Sequence, residues 1–140
     1  MKHPEIAPCG TDCVNCELYE KGGKPESWER LAKATGRTIE ESKCKGCHLQ
    51  PGCIMHANCE TLACVNDHEV DYCYECGEFP CQKLMPMAFK ADFYPHNLKM
   101  YNLCRLKLLG KEKFLEEATR NRALYYKGTM KIGAGPQLEE

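Results

Sequence analysis

Long apolar runs are missing from this chain. None of its 140 residues lies in a stretch approaching the ~18 consecutive apolar side chains of a membrane helix. A membrane partner is therefore not expected. Met1 is followed by Lys2-His3-Pro4-Glu5, with no apolar segment of signal-peptide type. A secreted disulfide framework is accordingly disfavoured, and a cytoplasmic setting with reduced thiols is the expectation. Trp occurs once and Phe four times, against seven Tyr. The hydrophobic fraction of 43% includes the cysteines, and without them the apolar content is modest for a self-sufficient core. No H-E-x-x-H, phosphate loop or nucleophile elbow is present, so the reading leans away from an enzyme.

What the chain does have is cysteine, twelve of them, eleven between Cys9 and Cys81. Three pairs stand at C-x-x-C spacing: Cys13/Cys16, Cys44/Cys47 and Cys73/Cys76. Two intervening residues let a tight turn aim both sulfurs at one ion. A single such pair also suits a redox dithiol, but three, each with further cysteines nearby, point to tetrahedral thiolate sites. A small chain short of core gains its stability from such staples.

Charge is divided unevenly along the sequence. Residues 1–81 carry 8 Lys/Arg and 14 Asp/Glu, a net −6, whereas residues 82–131 carry 11 and 4, a net +7. One reading is that the acidic and basic parts attract each other within the fold. The other is that the basic arm meets an anionic partner. Arg105, Lys107, Lys111, Lys113, Arg120, Arg122, Lys127 and Lys131, with Tyr125 and Tyr126 among them, would then form a footprint for RNA or DNA. A protein partner at this arm is the other possibility.

Periodicity predicts a single domain of 140 residues, mainly α with irregular Cys-rich loops and little β. Its zinc-ribbon- or knuckle-like part covers residues 1–81, and a basic helical arm with a glycine-rich tail covers 82–140. Pro25 suits the first position of a helix with Trp28, Leu31, Ala32 and Ala34 on its inner stripe and Gly36 at its end. Thr38 and Glu41 fit a capping box. A short helix is expected from Glu60 to Val65. Another is expected from Cys81 to about Ala91, started by Pro80, with Leu84, Met85 and Ala88 inward. Leu98, Tyr101, Cys104 and Leu108 suggest the buried stripe of a helix ending at Gly110. Lys111 to about Arg122 forms the next, with Phe114, Leu115 and Ala118 apolar. The tail from Tyr125 to Pro136 reads as a small hairpin or an extended strip. Gly46 and Gly77 are expected to supply positive φ in metal-wrapping turns.

Several stretches resemble the uncharacterised cysteine-rich family called domain of unknown function 3795. They are Pro8-Cys9-Gly10-Thr11-Asp12-Cys13-Val14-Asn15-Cys16, Cys44-Lys45-Gly46-Cys47, Cys59 to Cys64, and Cys73-Tyr74-Glu75-Cys76-Gly77-Glu78-Phe79-Pro80-Cys81. The resemblance implies a small protein presumed to bind metal, with no established activity. Cys53 and Cys104 lie outside these stretches.

The expected metal ligands are Cys9, Cys13, Cys16, Cys44, Cys47, Cys59, Cys64, Cys73, Cys76 and Cys81. The simplest first site takes Cys13, Cys16, Cys44 and Cys47, and the second draws on Cys59, Cys64, Cys73, Cys76 and Cys81. Cys53, His48, His56 and His68 remain open as further donors, and Cys104 reads as a packed core thiol. Zinc, in two or more ions, is the favoured cofactor. An iron–sulfur cluster in a redox or electron-transfer protein is the alternative, because Cys9, Cys13 and Cys16 crowd into one stretch. That same spacing occurs in radical S-adenosylmethionine enzymes, but this chain is too short for their barrel. The functional expectation is a zinc-stabilised protein- or nucleic-acid-binding module.

Overall fold

The computed structural model describes residues 3–139. It contains four α-helices: α1 (Pro25–Thr35), α2 (Glu60–Asp67), α3 (His96–Leu109) and α4 (Lys111–Lys127). Strand is confined to two small antiparallel hairpins. These are β1 (Gly52–Cys53) with β2 (His56–Ala57), and β3 (Thr129–Lys131) with β4 (Gly135–Gln137). The mainly helical, cysteine-rich reading is therefore correct, and the tail forms a hairpin, but only from Thr129 onward: residues 125–127 extend α4 past its expected end near Arg122. In the hairpin Thr129 pairs with Gln137, Met130 with Pro136 and Lys131 with Gly135.

Local signals place α1 well. Pro25 opens it and Gly36 closes it, its N–H donating to the Ala32 carbonyl at 2.9 Å. Ser27 and Leu31 are buried, whereas Trp28 is half-buried and Ala34 is exposed. Trp28 instead ties the helix to the first cysteine loop, its indole N–H donating to the Leu18 carbonyl at 3.1 Å. Thr38 and Glu41 form the expected reciprocal pair: the Glu41 N–H donates to Thr38 Oγ1, and the Thr38 N–H donates to Glu41 Oε2.

Two helical expectations are corrected. The chain after Cys81 makes only a 3₁₀ turn, Gln82–Leu84, and continues irregularly to Pro95. Pro80 follows a cis peptide bond and does not start a helix. Pro86 blocks continuation, since a residue before proline is pushed out of the α region, and Met85 has φ −57 and ψ 124. Leu84 is buried as expected, but Met85 and Ala88 are exposed. In α3 the buried face is Leu98, Asn102, Leu103 and Leu106, not the Leu98, Tyr101, Cys104 and Leu108 stripe. Apolar residues lie on every side of α3, so periodicity alone picks no face. Packing against α4 and against the turns at Cys73–Glu75 and Gln82–Leu84 decides it. Asn102 faces inward because its amide donates to the Gly10 carbonyl at 2.9 Å. Cys104 is exposed, so it is not the packed core thiol that its spacing suggested.

α3 and α4 pack together through Gly110 and form the platform on which the cysteine-rich part sits. Ile6 and Tyr72 from that part join Leu106, Phe114 and Ala118 in one buried cluster. Val65, Cys73, Leu84 and Leu103 make a second, and Ala7, Cys13 and Tyr19 a third. The two parts are also joined by charge. Asp12, with its side chain 1% exposed, accepts from Arg122 at 2.8 Å and from Asn15 at 2.9 Å. A buried carboxylate needs such partners.

This packing predicts unequal costs for two leucines of one helix. Leu103→Ala should lower unfolding free energy by about 2–5 kcal/mol, and Leu108→Ala by less than about 0.5 kcal/mol. Urea unfolding monitored by circular dichroism measures both. Equal losses would contradict the assigned face of α3.

Candidate metal centre

Two of the C-x-x-C pairs share one backbone form despite unlike flanks. Cys13–Asn15 and Cys73–Glu75 are single 3₁₀ turns, each followed by a cysteine in extended conformation. In the first, Asn15 N donates to Asp12 O at 3.0 Å and Cys16 N to Cys13 O at 2.9 Å. In the second, Glu75 N donates to Tyr72 O at 3.0 Å and Cys76 N to Cys73 O at 3.2 Å. A side chain clamps each turn. Asn15 reaches Asp12, and the Glu75 carboxylate accepts from the N–H groups of Asp71 and Tyr72, both at 2.9 Å.

The third pair bends differently. Gly46, inside it, has φ +87, and a Cβ there would lie 2.4 Å from the Pro4 carbonyl oxygen. Only glycine fits that approach. Gly77, by contrast, does not adopt positive φ and faces open space, which corrects the expectation for it.

Backbone N–H groups converge on the sulfurs. Cys76 Sγ accepts from the Glu78 N–H at 3.4 Å, while the N–H groups of Leu18 and Tyr19 favour the thiolate at Cys16, those of Gly46 and Ile54 at Cys44, and that of Met55 at Cys53. In each case one donor lies two residues beyond the cysteine. Such donors stabilise sulfur in its anionic, ligating form. Cys53 is reached differently: it ends β1, and the β1–β2 turn that follows supplies the Met55 N–H.

Long-range contacts then gather the turns. Cys44 N donates to Leu18 O at 2.7 Å and Glu20 N to Cys44 O at 2.8 Å, so the Cys44 loop lies along the first turn. Cys9, Cys16 and Cys47 pack around Ala7, Cys13 and Tyr19. Cys13 consequently feels Cys47, Cys9, Cys44 and Cys16. Cys53 stands close to Cys44, and Cys59, which precedes α2, is near Cys47. The other group forms around Cys73, whose N–H donates to Pro8 O at 2.9 Å. Cys64, Cys73, Cys76 and Cys81 line one recess of about 30 Å³, together with His68. That volume suits an ion or a single water and is far below the size of a substrate pocket. Cys9 packs in both groups.

The histidines separate clearly. His68 Nδ1 is 2.8 Å from the Cys64 carbonyl oxygen and 3.7 Å from Cys64 Sγ, at the edge of the second group. His48 stands edge-on to the Tyr72 ring, with centroids 5.2 Å apart. His56 is exposed on β2.

Electrostatics disfavour ionising so many sulfurs together. Burial, then Cys47, Cys9, Cys44 and Cys16, pushes the Cys13 thiol well up. Burial and the neighbouring thiols push Cys47 and Cys73 each to about 12. Cys44 moves the other way, because Cys53 and the N–H groups of Ile54 and Gly46 favour its thiolate. A bound cation removes the conflict by letting neighbouring thiols ionise together. Among the described residues, no three Cys, His, Asp or Glu side chains already converge at ion-holding geometry. The donor set itself, soft sulfur with N–H support, fits zinc or an iron–sulfur cluster.

The basic arm is partly used inside the fold. Arg105 makes a bidentate pair with Glu117, with both N···O distances 2.7 Å. Arg122 holds Asp12, and the Lys111 ammonium sits 5.2 Å from the Tyr72 ring centroid. These three cations of the expected footprint are thus drawn toward partners within the chain. No described helix is long and apolar enough to cross a membrane.

Comparison with known proteins identifies the class. A family model described as a protein of unknown function (DUF3795) matches residues 5–86, more than half the chain, and the chain belongs to that family. The matched stretch contains every cysteine except Cys104. No curated protein and no solved structure matches the chain.

Gly46→Ala tests the turn geometry. It should cost more than about 1 kcal/mol of stability, whereas Gly77→Ala should fall within about 0.5 kcal/mol of the parent. Thermal unfolding of the two variants under reducing conditions provides the comparison. A neutral Gly46→Ala would refute the assigned conformation at the Cys44 turn.

Proposed function

We propose that the protein is a zinc-binding module in which the metal is structural. The observation that carries this reading is the gathering of cysteines into two groups in which backbone N–H groups two residues on favour the thiolate at Cys16, Cys44, Cys53 and Cys76. This N–H support occurs in both thiol groups and prepares sulfur for ligation rather than for packing. One ion is assigned to the neighbourhood of Cys13, Cys16, Cys44 and Cys47, with Cys53 as an additional donor beside Cys44. The other is assigned to Cys64, Cys73, Cys76 and Cys81. Cys9 and Cys59 are reserve donors at the first group. Sulfur-rich shells favour structure over hydrolysis, since strong sulfur donation makes the ion a poor Lewis acid.

Crowding of Cys9, Cys13 and Cys16 also supports the second reading, an iron–sulfur protein. Elemental analysis of the purified chain and three variants separates the possibilities. Zinc is expected at two or more ions per chain. Cys76→Ser should lose about one ion, Cys53→Ser should weaken retention against a chelator, and Cys104→Ser should match the parent. Iron with acid-labile sulfide would replace the zinc reading. Equal metal content in all variants would defeat the ligand assignment.

A further inference from the structure

A groove of about 410 Å³ lies between α3, the second half of α4 and the β3–β4 hairpin. It contains no cysteine and falls outside residues 5–86, so it is separate from the metal centre and from the family match. Its volume is within the range of small-molecule sites. Leu98, Leu124 and Pro136 give it an apolar floor, while Tyr101 and Tyr125 supply aromatic walls. Among the described residues, no acidic side chain lines it.

One cation lines it, Arg120. Among the described residues, the other four arginines all have partners: Arg30 at Ser27, Arg37 at the Ile54 carbonyl, Arg105 at Glu117 and Arg122 at Asp12. Among the described arginines, only the Arg120 side chain makes no hydrogen bond, ion pair or ring contact. Glu117, one turn earlier, is already taken by Arg105 and Asn121 and does not compete for it. Tyr125, in the wall, has a buried hydroxyl without a hydrogen-bond partner, an unmet donor of the kind native structures seldom leave.

We propose that this groove binds a small aromatic anion, its ring between the tyrosines and the apolar floor and its carboxylate or phosphate on Arg120. The planar guanidinium fits either anion in bidentate fashion. The aromatic body provides the burial that a bare inorganic anion lacks.

Isothermal titration of the full chain with benzoate, adenosine monophosphate and inorganic phosphate tests this. At least one of the two aromatic anions should bind saturably with Kd below about 1 mM. Benzoate binding identifies a carboxylate ligand and adenosine monophosphate binding a nucleotide. Arg120→Gln should weaken that binding by at least about tenfold. Lys131→Gln, on the exposed hairpin, should leave it unchanged. Arg120 is exposed and unpaired, so its variant should keep the parent circular dichroism spectrum. Absence of saturation by both aromatic anions overturns the proposal. So does equal binding by Arg120→Gln, or inorganic phosphate binding as tightly as the aromatic anion.

Discussion

Mutual proximity of buried thiols is the constraint from which the rest of this structure follows. Cys13 is surrounded by Cys9, Cys16, Cys44 and Cys47, and Cys73 by Cys9, Cys64, Cys76 and Cys81. Sulfurs this close resist ionising together, yet the turns that hold them direct N–H groups at sulfur as though it carried charge. A cation at each group, as proposed, would reconcile the two features. It would also add stability to a cysteine-rich part whose large apolar residues in the buried clusters are Ile6, Tyr19, Val65 and Tyr72.

The helical arm acts as the second staple. Asn102 holds Gly10, Arg122 holds Asp12, and Phe114 and Leu106 enclose Ile6 and Tyr72. Gly10, Asp12 and Tyr72 each adjoin a cysteine, so these contacts fix the cysteine turns. Arg122 illustrates how the charge split is used: a cation of the basic arm neutralises a buried carboxylate of the acidic part, a pair whose loss leaves an uncompensated charge. The arm therefore positions the thiols as well as presenting cations to solvent.

Much of this was legible in the residues. C-x-x-C spacing located the turns, proline and glycine bounded α1, and Thr38 with Glu41 marked the short turn that follows it. The tail hairpin followed from strand formers between glycines. The misses have specific causes. α3 carries apolar residues on all sides, so its inner face depended on partners distant in sequence, and a buried polar residue, Asn102, defines it. Leu84 read as helical core, but the proline two residues on limited the helix to one turn. Cys53 lay outside the familiar spacings, and only the β1–β2 turn placed it on Cys44. Cys104 matched a helical period and yet faces solvent. The groove at Arg120 joins residues from three elements and left no local pattern to read.

X-ray absorption at the metal edge of the purified full chain bears most directly on the central claim. The account predicts zinc with a first shell of four sulfurs at about 2.3 Å. A shell dominated by nitrogen or oxygen, or an iron edge in place of zinc, would contradict it.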